Sequence, residues 1–255
     1  MKTYFEAEKL KYRHTCLMGI AAGMPLASVL PAALLTHAFF ALDSYNWWYI
    51  SLYPGFLGIL CSIIGGKDRK KKNHTIGSLP CEMAKIWDAK ILVGAVMNAL
   101  SVLCVVLYTI VMGKGMETVL QMQFIAAPSV GMQLLAGVVM WLTSLWQIPF
   151  CLFLSQRMGT FMMLVIHMGL STVLAVTVSL KPWFALLPWA ITARLMCPVL
   201  GVLPNGLLLQ PGQQSYSASL AGMENLLIGI PAALLWFGLF WMGSRRWFER
   251  QVTGQ

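Results

Sequence analysis

Long apolar runs separated by short polar pieces make up most of the chain. They cover about 16–42, 47–66, 91–113, 131–155, 159–180 and 218–243, each at or above the roughly 20 residues that cross a hydrocarbon core as a helix. The pattern predicts an all-α fold: a polytopic membrane protein with six transmembrane helices in a single domain spanning 1–255. The first run contains Pro25 and Pro31, so a tilt or kink is expected there. It is too long for a signal-peptide core and no convincing cleavage site follows, so it reads as an uncleaved span. Residues 43–45 read as a tight turn to the second span, and the stretch near 114–130 as a moderately polar loop.

Composition agrees with the pattern. Hydrophobic residues make up 58% of the 255 and charged ones only 11%, against roughly 25% charged in a typical soluble domain. The formal net charge of +9 does not signal nucleic-acid binding, because the basic residues fall in the loops between the runs. Their placement is lopsided. Lys2, Lys9, Lys11, Arg13, seven residues between 67 and 90, Arg157, Arg245, Arg246 and Arg250 lie on one set of loops, 15 of the 18 in all. The opposite loops hold Lys114, Lys181 and Arg194. The positive-inside rule places the first set, and with it both termini, in the cytoplasm. The N-terminal 15 residues mix charges with Tyr4, Phe5, Leu10 and Tyr12, as a helix at the cytoplasmic interface would.

Catalytic signals are weak throughout. There is no G-x-x-x-x-G-K-[ST] loop: Gly113, Lys114 and Gly115 lack the earlier glycine and the following hydroxyl. No H-E-x-x-H or G-x-S-x-G pattern occurs. Cys16, Cys61, Cys81, Cys104, Cys151 and Cys197 are scattered singly, so neither a disulfide nor a metal site is expected. His37 and His167 fall within spans one and five, and either bond neighbouring helices or, as an alternative, ligate a haem. Charge inside the spans is nearly absent, whereas ion-coupled carriers keep such groups for transport. The nearest candidate, Glu224, sits near the start of the last span, as a helix-dipole partner or facing substrate. The driving force is therefore expected from another polypeptide.

Two segments stand apart. The first is the basic loop, where Gly65 and Gly66 lead into Lys67, Arg69, Lys70, Lys71 and Lys72. Ser78, Leu79 and Pro80 then open a candidate helix over 79–90 that carries Glu82, Lys85, Trp87, Asp88 and Lys90. Held at each end by a span and facing the cytoplasm, it is either a contact for a soluble partner or a topogenic charge cluster followed by an interfacial helix. The second is 181–217, too apolar for a solvated loop and interrupted by Pro182, Pro188, Pro198, Pro204 and Pro211. It reads as a short interfacial or re-entrant helix near 183–200 on the outer leaflet. Trp183 and Trp189 would meet lipid headgroups there, with Arg194 at the polar edge. Asn46, Trp47, Trp48 and Tyr49 form an aromatic anchor at the outer interface. Trp47, Trp48, Trp183, Trp189, Arg194 and Glu224 are the candidate substrate or outer-leaflet contacts; for 181–217 the alternative is a lid that only seals the mouth.

The order of these features resembles the ABC-2 type permeases, and more closely the lantibiotic immunity permeases of the MutE/EpiE and MutG groups. The likeness rests on 4–13 (YFEAEKLKYR), on Tyr45 to Tyr49 with Pro54 and Gly55, and on the basic run with Ser78, Leu79, Pro80, Trp87 and 89–92 (AKIL). It spans most of the chain in layout, while its specific motifs lie in the first 100 residues. The resemblance implies a permease subunit, not itself an enzyme, that pairs with a second homologous permease and a cytoplasmic ABC ATPase dimer. It binds no cofactor in this chain; ATP and Mg belong to the ATPase. The assembly would export a lantibiotic or other antimicrobial peptide from the membrane. The resemblance further implies that 79–90 is the ATPase-coupling helix. It does not separate the E-type from the G-type permease. The alternatives are an ABC-2 permease for another amphiphilic drug or lipid, and a non-transporting anchor subunit.

Overall fold

A computed structural model describes residues 1–69 and 81–253. The chain is helical, and among the described residues the only β feature is an isolated antiparallel bridge between Val202 and Leu208. Five segments are long and apolar enough to cross a membrane: Leu17–Leu35, His37–Asp68, Met83–Thr118, Thr160–Thr177 and Glu224–Gln251. The pair Val130–Ser144 and Gln147–Met158, bent by 42°, makes a sixth if it forms one span.

Helix α1 (Lys2–Lys11) packs on the start of the long helix described below. The first span is split into α2 (Leu17–Gly23) and α3 (Leu26–Leu35). The break falls at Met24 and Pro25, where a kink was expected, because proline cannot donate to the helical ladder. The turn between the first two spans lies at Thr36, not at 43–45 as the polar residues suggest. Residues 37–69 run as one stack: a 3-10 turn (His37–Phe39), α4 (Phe40–Trp47), a π turn (Trp48–Leu52) and α5 (Tyr53–Arg69). The polar groups of 43–46 are accommodated inside a helix. Ser44 Oγ donates to the Phe40 carbonyl at 2.7 Å, and Tyr45 OH donates to Gln133 Oε1 at 3.2 Å.

Helix α6 (Met83–Thr118) is continuous for 36 residues, so the described part of 79–90 extends the third span and is not a separate element. Helices α7 (Val130–Ser144) and α8 (Gln147–Met158) break where Pro149 cannot donate to the Leu145 carbonyl; Ile148 N–H takes that acceptor instead at 3.2 Å. Gly159 alone joins α8 to α9 (Thr160–Thr177), at φ 92°, a left-handed conformation that side chains resist. Helix α11 (Glu224–Thr253) closes the chain. A polar triad lies in the core between α5, α6 and α7: Tyr53 OH donates to Asn98 Oδ1 at 2.7 Å, and Asn98 Nδ2 donates to Ser144 Oγ at 2.9 Å.

The segment before α11 forms the expected short helix but not a lipid-facing interfacial one; the re-entrant alternative is not contradicted. After a 3-10 turn (Phe184–Leu186), α10 (Pro188–Leu200) buries all its residues except Trp189 and Pro198, against α7, α9 and α11. Thr143 and Thr192 hydroxyls meet at 2.9 Å, and at Gly229 of α11 an added Cβ would lie 2.8 Å from the Leu195 side chain. Apolar composition does not distinguish a lipid-facing from a protein-facing helix; here protein covers it. The bundle thus has a basic end, carrying α1, the end of α5, the start of α6 and the end of α11, and an opposite end carrying Thr36 and the 201–223 segment.

Candidate functional site

At the basic end three helices meet in a charge cluster. Glu8 and Lys11 share one face of α1, Asp68 ends α5, and Lys90 projects from the first turns of α6. Lys90, with no exposed surface, pairs with Glu8 Oε2 at 3.1 Å and with Asp68 Oδ2. Lys11 pairs with Glu8 Oε1 at 2.5 Å and Asp68 Oδ2 at 3.3 Å. Two cations and two carboxylates alternate, which is how charge is tolerated away from water. Tyr12 donates to the Ile64 carbonyl at 2.7 Å, with Glu8 Oε2 3.1 Å away. Lys67 donates to the Lys11 carbonyl and lies over the Tyr12 ring, 5.6 Å from its centroid.

Burial opposes the charge on Lys11, yet the hydrogen bond and charge of Glu8, together with Asp68, hold its pKa above 10.5. A raised lysine pKa stabilises the fold below the unfolded value and loses that contribution only as pH climbs through the folded one. The Lys11 contribution is therefore present across the neutral range. Burial first, and then the same carboxylates, push the Tyr12 phenol upward, so it remains a donor.

A second clamp ties α6 to α11. Trp87, fully buried, donates from Nε1 to Ser244 Oγ at 3.0 Å and stacks on Phe248 with ring centroids 4.7 Å apart. Trp247 meets it at 6.4 Å, edge to face. Asp88 accepts from Trp241 Nε1 at 2.7 Å and lies 3.5 Å from Arg245 Nε. Glu82 and Lys85 pair at 2.5 Å and remain accessible.

The residues assigned to a coupling helix therefore separate by position. Leu79 and Pro80, with the Lys70, Lys71 and Lys72 run, lie outside the described residues. Glu82 and Lys85 face outward, whereas Trp87 and Lys90 are interior groups with intramolecular partners, not surface anchors. Of their partners, Asp68, Ser244 and Phe248 are absent from the sequence reading, and Glu8 enters it only as part of the 4–13 motif. The signals that could have found some of them are Glu8 and Lys11 at i, i+3 and the lone acid Asp68 beside a basic run.

At the opposite end the candidate contacts do not form one surface. Trp183 is 47% exposed and Trp189 half-buried, donating to His167 Nδ1 at 3.4 Å. Arg194 is not at a polar edge. It is 3% exposed, donates to Asn225 Oδ1 at 3.1 Å and to the Ser179 and Ser219 carbonyls at 3.2 and 2.9 Å, and lies over the Phe184 ring. Glu224 is exposed in the first turn of α11, where a carboxylate complements the helix dipole. Trp48 is interior, stacked on Tyr53 at 5.4 Å, and Trp47 lines an open cleft. His167 bonds Gln147 of a neighbouring helix at 2.9 Å, while His37 is exposed in the turn after Thr36. No known family model, characterised protein or solved structure matches the chain.

Proposed function

We propose that the chain is the membrane-spanning permease subunit of an ATP-driven exporter that clears lantibiotics or similar amphiphilic antimicrobial peptides from the bacterial cell membrane. A separate ATPase dimer binds ATP and Mg, and a second homologous permease completes the pathway. The observation that carries this reading is the double clamp at the basic end. In sequence the segment 70–82 connects α5, which carries Asp68, to α6, which carries Lys90; both residues belong to the cluster that also grips α1, while Trp87 and Asp88 grip α11. A push on that segment reaches helices drawn from both ends of the sequence, which is what a subunit driven from the cytoplasm requires. The charge asymmetry supports a cytoplasmic placement of this end. The haem-anchor alternative has less support, because His37 is exposed at one turn and both nitrogens of His167 have protein partners.

The test is the double change Glu82→Lys with Lys85→Glu, which inverts two accessible charges and leaves the clamps in place. It should insert and fold normally yet lose copurification of the partner ATPase and peptide tolerance of the cells. Normal values of both would remove this face from the coupling contact. Failure of the unaltered chain to capture any ATPase would remove the exporter reading altogether.

A further inference from the structure

A cleft of about 570 Å³ opens at the end opposite the charge cluster, between the helix stack 43–52 and the loop 204–207. Asp43 and Asn46, one helical turn apart on α4, both line it. Asp43 is half-buried and has no cationic partner among the described residues. Asn46 is only 4% exposed, and its Oδ1 has no hydrogen-bond partner among the described residues. A buried acceptor without a donor costs stability and calls for an explanation. Arg194, on this side of the bundle, is fully engaged elsewhere.

The walls are built to match. A π turn, Trp48–Leu52, begins directly after Trp47; such turns within a helix are frequent at functional sites. It places Trp47 and Ile50 on one side of the cleft, facing Pro204 and Leu207. Gly206 holds φ 86°, and a Cβ there would stand 3.1 Å from Asn46 Nδ2, so glycine lets the loop approach while leaving the space open. Asn205 Oδ1 accepts from Leu207 N–H at 3.2 Å and fixes the loop.

We propose that this cleft binds an organic ammonium group carried on an apolar body, as at the amine-bearing end of an amphiphilic peptide. The ammonium donates to the Asp43 carboxylate and, once the Asn46 carboxamide turns about its Cβ–Cγ bond, to its unpartnered oxygen; Trp47 presents an aromatic face to the charge, and the apolar walls take the attached hydrocarbon. An anion is disfavoured by Asp43. The assignment of a peptide as the physiological ligand rests on the export reading; the binding chemistry rests on the cleft alone.

The full chain in lipid nanodiscs, titrated with a dansylated long-chain alkylammonium and with its uncharged amide analogue, tests this after subtraction of empty discs. The ammonium probe should bind saturably and the neutral probe much more weakly. Asp43→Asn should weaken ammonium binding about ten- to a hundredfold, the range expected when a bond to a charged group is lost. Asp43→Glu should largely retain it. Gly206→Val, which fills the cleft from the opposite wall, should abolish it and provides a second route should Asp43→Asn fold poorly. Equal binding of both probes, or ammonium binding unchanged in Asp43→Asn and Gly206→Val, would overturn the site. ATPase capture is read separately: saturable binding without capture leaves this site standing and removes the exporter, and capture without binding does the reverse.

Discussion

Lys90 and Trp87 show what a single position can and cannot disclose. Both stand in a polar stretch beside a basic run, so they read as surface groups; both are interior because their partners come from remote parts of the chain. Removing one member of a buried ionic pair leaves its partners uncompensated, at a cost of about 3–5 kcal/mol. Lys90→Met should therefore lower the melting temperature in detergent markedly, and adding Asp68→Asn should recover part of the loss. A melting curve for Lys90→Met that overlays the unaltered protein would show that the cluster does not hold the helices together. Trp87→Ala should cost a comparable amount, about 3–5 kcal/mol as for other buried aromatic truncations, with Trp87→Phe retaining most of the stacking on Phe248 but not the bond to Ser244. Loss of activity in Trp87→Ala therefore needs that stability measurement beside it before it counts as loss of a partner contact.

Among the elements, long strongly apolar helices are the legible part. The spans 91–113, 159–180 and 218–243 lie on α6, α9 and α11 with shifted ends, because hydropathy marks the stretch in lipid but not the polar turns that continue the helix into water. The turn at 43–45 was misplaced since local bonds such as Ser44 to Phe40 let polar residues remain helical. Helix α10 was legible as a short, proline-limited element but not as a buried one. Trp183, before it, and Trp189, in its first turn, now separate. Trp183→Leu, at an exposed ring, should leave thermal stability unchanged within about 0.5 kcal/mol. Trp189→Leu removes the donor to His167 and the edge contacts to Trp146 and Phe150, 4.9 and 5.5 Å away, and should destabilise measurably. Arg194→Leu should be worse than either, because it strands the Asn225 oxygen and two carbonyls, each at about 1–3 kcal/mol. Equal melting temperatures for Trp183→Leu and Arg194→Leu would contradict the burial of α10.

For the whole molecule the number of membrane crossings turns on α7–α8 and α10. If the bent pair α7–α8 is one span and α10 is held inside the bundle without crossing, there are six crossings and the two termini share a side. The basic residues of α1, of the 67–90 stretch and of the α11 tail then all lie on that side, as the charge rule requires. If α10 crossed as well, the Arg245, Arg246 and Arg250 tail would be carried to the other face. The two arrangements differ in which positions an impermeant thiol reagent reaches in intact cells. Four of the six cysteines are buried, so Cys16→Ser with Cys81→Ser gives a quiet background. Single cysteines at Asn73 and Gln251 should remain unlabelled until the membrane is permeabilised, and one at Gln213 should label at once. Labelling of position 251 from outside, with 73 still protected, would mean an odd number of crossings between them and would put the α11 tail on the opposite side of the membrane from the 67–90 stretch, against the double clamp.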